Sequence, residues 1–182
     1  MCGRACGRTE IFGQHSHARK FEKIMNTLWI EQFVHILAVI VWIGGLFFVT
    51  MVLAPTLKKE ITQNSTRIAL MHVLLRRFFF WMLLAAFLLL LTGYSMVFVF
   101  YGGFAALTIP EWIMVVLGTI MVMIVLHTYF APLKRLRRAV RDEDWQAGSK
   151  ALGQVRMLAS TNLVLSFIVI LVGIWGVFGT PW

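Results

Sequence analysis

The sequence predicts an all-α integral membrane protein, a four-helix bundle with both termini outside and two basic loops in the cytoplasm. Three observations carry that reading. The chain of 182 residues is 59% hydrophobic and 14% charged, with a mean hydropathy of +0.80. Soluble domains hold about a quarter charged residues, and a soluble surface this apolar would aggregate. Four apolar runs also reach the roughly 20 residues that a helix needs to cross a hydrocarbon core of about 30 Å. Finally, the lysines and arginines of the membrane part gather in alternate connections between those runs, as cytoplasmic loops do. Transmembrane strands would be about half as long and would alternate in polarity.

Residues 1–24 read as a non-native or disordered leader. They carry Arg4, Arg8, Arg19, Lys20 and Lys23 against Glu10 and Glu22, which the topology would have to export, and they contain no apolar core of signal-peptide length. Translation is therefore expected to begin at Met25. The pair Cys2 and Cys6, with metal or disulfide spacing, falls in this segment together with His15 and His17, and none of them is given a role.

Residues 25–182 read as one domain with helices over about 28–54, 70–101, 111–132 and 156–179. The first is interrupted only by Glu31, Gln32 and His35, and the connection after it holds Lys58, Lys59, Arg67, Arg76 and Arg77. The apolar run of the second, 78–101, has no charge, and the connection that follows has no lysine or arginine. The third contains His127, and its inner connection holds Lys134, Arg135, Arg137, Arg138, Arg141, Lys150 and Arg156. The fourth carries Ser160, Thr161, Asn162 and Ser166 near its start. Trp29, Tyr101, Trp112 and Trp182 would all anchor the outer interface. Ala54-Pro55 and Ala131-Pro132 each precede basic residues, and proline is expected to stop both helices there. The net charge of +9 is thus a matter of topology. No single water-facing basic surface exists to suggest nucleic acid.

Ionisable and metal-ligating side chains are costly in hydrocarbon, so they are functional candidates by default. His35 lies in the outer half of helix 1, about 10 Å above its midpoint. Glu31 and Trp42 share its face, and a carboxylate one turn away can orient an imidazole. His127 follows Met123 by four residues, a pairing that suits a soft metal such as Cu(I) or one side of a haem. Met114 and Met121 share that helix and read as packing. His72 sits about 9 Å beyond the inner edge of helix 2, with Arg76 one turn later as a candidate partner for haem propionates. Asn162 and Ser166 form a polar stripe of the kind that joins membrane helices, with a hydrogen bond to a ligand as the alternative. Gly44-Gly45 permits close approach of a helix or a flat cofactor. Motifs for ATP-driven pumps, zinc proteases, c-type haem attachment and serine hydrolases are absent from the sequence.

The run from His35 to Phe47, with the pattern His-x6-Trp-x-Gly-Gly-Leu, resembles the membrane domain of the copper-resistance D (CopD) family and, more distantly, the HemJ-type protoporphyrinogen oxidases. Arg76-Arg77-Phe78 leading to Thr92-Gly93, His127 before a basic inner end, and Arg156 followed by Asn162-Leu163 are compatible with it. The resemblance implies a multi-pass protein of the bacterial inner membrane, more a carrier than an enzyme. It would take part in copper transport or homeostasis, often beside a periplasmic copper-binding protein, with His35 carried over as a ligand. The oxidase branch would imply b-type haem and redox chemistry. The sequence departs from that branch, lacking the Arg and His at the inner end of helix 1, the Lys in helix 3 and the Asn-Glu-x-Pro of helix 4. The metal candidates are thus His35, His127, Met123 and His72, and the haem candidates His35, His127 and Arg76. Glu31, Trp42 and Asn162 are the supporting residues. Four helices are expected to enclose little volume, so a conducting path would draw on a homodimer or a second subunit. The lipid bilayer is the one partner that composition requires.

Overall fold

A computed structural model describes the backbone of residues 6–179 and the side chains of 25–179 except Val177, together with Glu22. Cys2, Trp182 and the side chains of Cys6, His15 and His17 lie outside the described residues. The elements are α1 (Cys6–Phe47), a π-helical turn (Phe48–Leu53), α2 (Ala54–Glu60), α3 (Asn64–Val99), a 3-10 turn (Phe104–Ala106), α4 (Ile109–Phe130), α5 (Pro132–Arg141) and α6 (Trp145–Phe178). Among the described residues there is no strand. Four stretches are long and apolar enough to span a bilayer: Met25–Glu60, Asn64–Val99, Ile109–Arg141 and Trp145–Gly176.

Each boundary has a local cause. Pro55 cannot donate to the carbonyl four residues back, and its ring crowds that carbonyl. The chain widens by one residue instead of stopping, so the Ala54 amide bonds the Val49 carbonyl and the helix continues to Glu60. Gly102 and Gly103, with φ of 74° and 126°, turn the chain after α3, leaving Tyr101 in the connection. Thr108 and Glu111 then form a capping box that opens α4. Pro132 follows a break at Ala131 and starts α5, so this proline also redirects a helix without ending the helical run. The Asp144 carboxylate accepts from the Ala147 amide at 2.9 Å and opens α6. That helix starts well before its apolar run because capping, not hydropathy, sets where a helix begins.

The spans run antiparallel in two close pairs. On α1 and α3, Glu31 meets Ser95, His35 meets Gly93, and Gly45 meets Phe78 and Met82. On α4 and α6, Pro110 meets Gly176, Met114 meets Gly173, and the Met121 carbonyl meets Asn162. Glu31, His35, Tyr101 and Glu111 therefore share one end of the bundle. All twelve basic residues of the two loops lie toward the other end. There a small core forms where Ile68 of α3, Ala139 of α5 and Gly148 of α6 converge, with Leu136 fully buried beside them. Phe33, Phe80, Trp81, Phe130 and Leu171 are exposed around the outside, which only lipid tolerates.

Candidate functional site

Toward the His35 end the two helix pairs leave between them a cavity of about 490 Å³, lined from α1, α3, α4 and α6. This volume belongs to a partly open cleft between the helices. It falls within the range of small-molecule pockets.

His35 lines this cavity, and its Nδ1 lies 2.8 Å from Thr92 Oγ1. Thr92 Oγ1 in turn lies 2.6 Å from the Leu88 carbonyl. A carbonyl can only accept, so the single threonine proton is committed to Leu88, and the threonine oxygen accepts from His35 Nδ1–H. The hydrogen bond at one ring nitrogen sets the state of the other, so Nε2 carries the free lone pair. Among the described residues Nε2 has no bonded partner, and it is not enclosed. This is the arrangement in which metal-binding histidines are held. Helix spacing alone points to Glu31 for the orienting role, and the geometry gives that role to Thr92. Glu31 instead accepts from Ser95 Oγ at 2.8 Å through Oε1, while its Oε2 is buried without a partner.

Three methionines, Met96, Met114 and Met121, line the same cavity. Met114 and Met121 read as packing in the sequence, and Met96 carries no signal that sets it apart in an apolar run. Trp42 is 2% exposed and also contributes to the wall; its Nε1 is enclosed without an acceptor. Among the described residues no group of three His, Cys, Asp or Glu side chains is placed to hold a metal. The soft donors in the lining are one imidazole and three thioethers.

At the mouth, Tyr94 OH lies 3.0 Å from Thr119 Oγ1, whose own proton goes to the Val115 carbonyl at 2.7 Å, so the phenol donates. Tyr101 lies near Glu111, and its phenol is held above the usual tyrosine range, first by burial and then by the Glu111 carboxylate.

The remaining candidates lie elsewhere. His127 is exposed on α4, and Met123 is 60% exposed, so both face outward. His127 also lies eight residues beyond Thr119, about 12 Å deeper along the helix. The structure does not bring His127 or Met123 to His35 within one copy of the chain. They share a face of α4, and that face is the outer one. His72 and Arg76 belong to the basic end of α3, away from the cavity. Asn162, 1% exposed, donates to the Met121 carbonyl at 3.1 Å, a contact between helices, with Oδ1 left unpaired. It lines a separate cavity of about 20 Å³ toward the basic end, large enough for about one water molecule.

The donor set decides which occupant fits. A haem needs an axial ligand and partners for its propionates. His35 is the one histidine in the lining, and no lysine or arginine joins it, so the cavity does not fit a haem with two axial histidines or its propionates. Thioether and imidazole are donors that suit Cu(I).

Neither curated proteins nor solved structures give a match to this chain. The family described as copper resistance protein D matches residues 72–175, from His72 on α3 to Trp175 on α6. This stretch leaves out α1 and with it His35, so the match is independent of the His-x6-Trp-x-Gly-Gly-Leu pattern. It covers more than half of the sequence and three of the four spans, and the chain belongs to the copper resistance protein D (CopD) family.

Proposed function

We propose that this protein carries or buffers Cu(I) in a bacterial inner membrane, with the cavity as its entry chamber. The observation that supports this best is the fixed tautomer of His35, which leaves Nε2 free in a chamber also lined by Met96, Met114 and Met121. Soft thioethers favour Cu(I) over harder ions, and the neutral imidazole adds a fourth donor. Family membership agrees with a role in copper resistance or homeostasis.

The basic residues support the orientation. With the basic end in the cytoplasm, both termini and the cavity mouth face the periplasm, where a copper-binding protein could deliver its ion beside Tyr101 and Glu111. The large volume would admit an ion that still carries part of its hydration. Any part played by His127 and Met123 would need a second copy of the chain against the outer face of α4.

The test is a Cu(I) titration of purified protein against a competing chelator. Wild type is expected to hold Cu(I), with His35→Ala and the triple replacement of Met96, Met114 and Met121 by leucine each lowering affinity at least tenfold. Unchanged affinity in both variants refutes the assignment.

A further inference from the structure

The copper chamber makes no use of the other end of α3. His72 and Arg76 lie four residues apart there and so share a helix face. Arg76 and Arg77 immediately precede the uncharged run that begins at Phe78, which places this turn at headgroup depth. The convergence of Ile68 with Ala139 and Gly148 sets α3 against α5. The two helices run in opposite directions, so moving from Ile68 to His72 on α3 matches moving back from Ala139 toward Leu136 and Arg137 on α5. Accordingly Arg76 and Arg137 both act electrostatically on His72, with no carboxylate among the groups that do.

Leu75 of α3 and Leu133 and Leu136 of α5 belong to one buried core. His72 is partly buried at its edge, and Arg76 and Arg137 are exposed on either side. The one ion pair among the described residues joins Arg141 to Asp142, so neither arginine is neutralised. Val73 and Phe80, next to them on α3, are exposed and apolar.

We propose that His72, Arg76 and Arg137 form a binding site for a phosphate group, filled by the headgroup of an anionic phospholipid whose chains lie along Val73 and Phe80. Two guanidinium groups can each take phosphate oxygens through paired N–H donors, and a neutral imidazole adds one more. Basic pockets between helices on the cytoplasmic side are known sites for such headgroups. The site is separate from the copper chamber and does not rest on the copper reading.

The experiment uses the full chain in nanodiscs of phosphatidylcholine with a minor share of phosphatidylglycerol, and quantifies by mass spectrometry the lipid that stays bound on gentle extraction. Wild type is expected to retain phosphatidylglycerol several-fold above its share of the disc. The double variant Arg76→Gln with Arg137→Gln should fall to the bulk ratio. Lys134→Gln with Arg138→Gln removes the same charge from exposed positions on α5 and should keep the enrichment. Equal loss in both double variants would reduce the effect to general surface charge and overturn the site, as would no loss in either. All four substitutions are at exposed positions, and unchanged helix content by circular dichroism checks the fold. Inorganic phosphate added at millimolar concentration identifies the source. Displacement of the lipid by phosphate would assign the site to a free anion, and retention assigns it to the headgroup.

Discussion

Replacing Thr92 by valine keeps the shape of the side chain and removes one hydroxyl. Two hydrogen bonds are lost, the 2.6 Å bond to the Leu88 carbonyl and the 2.8 Å bond from His35 Nδ1. Leu88 keeps the regular helical acceptor role, so the first loss is small. The second leaves the imidazole free to rotate and to exchange its proton between nitrogens, and leaves Nδ1 without a partner. An intramolecular hydrogen bond contributes about 0.5–1.5 kcal/mol net, so the fold should survive with that much less stability. Removing the partner that orients a metal-binding histidine typically costs 10–100-fold in affinity, equivalent to about 1.4–2.8 kcal/mol. Thr92→Val should therefore weaken Cu(I) binding by that factor in the chelator titration, and Thr92→Ser, which keeps the hydroxyl, should restore most of it. If Thr92→Val bound Cu(I) like wild type while His35→Ala did not, the imidazole would not need its anchor, and the tautomer argument would fail.

The cavity gives a second check: a Cβ on Gly118 meets nothing within 4 Å, so Gly118→Leu should fill the chamber without clash. Removing a helical glycine gains about 1 kcal/mol in helix propensity, so thermal stability should hold while Cu(I) binding falls. In α1, a Cβ on Gly45 would lie 3.0 Å from the Phe78 ring, whereas Gly44 has open space. Gly45→Leu should therefore destabilise by about 1–3 kcal/mol in a denaturant titration, and Gly44→Leu should not. Tyr101 titrates above its unfolded value because burial, then Glu111, disfavours the phenolate. Its contribution to stability is thus complete below about pH 10 and is lost as pH rises through the higher folded value. The phenolate absorbance that disappears in Tyr101→Phe should come in above pH 10, and Glu111→Gln should bring it back only part of the way, since burial is the larger cause.

The four spans were legible because an unbroken row of about 20 apolar residues matches the thickness of a bilayer and little else, and His35 stood out as an ionisable group inside one of them. Its partners were not legible. Thr92 and Ser95 look like the many hydroxyl residues that bond back to their own helix, and Thr92 does that as well. The outward placement of His127 and Met123 was hidden for a different reason. In water a helix shows its buried face by an apolar stripe, but lipid is as apolar as a membrane protein's core. Every face of α4 is therefore apolar, and periodicity cannot tell inside from outside. Met96, Met114 and Met121 were obscured by the same uniformity. The early start of α6 was readable in principle from Asp144, a good cap three residues before the amide it accepts from.

Spans of 32–36 residues are about 50 Å long at 1.5 Å per residue, well beyond a hydrocarbon core of about 30 Å. One continuous bundle thus stands in two solvents. The contact of Ile68 with Ala139 and Gly148, and Leu136 beside it, are held by the reluctance of water to surround them, a force that weakens on cooling and in urea. The chamber around His35 is held by packing and by bonds such as Tyr94 to Thr119, because lipid gives apolar surfaces no reason to leave it. The helices that join these regions run through both, so a change in the aqueous phase can loosen the basic end while the chamber around His35 keeps its shape.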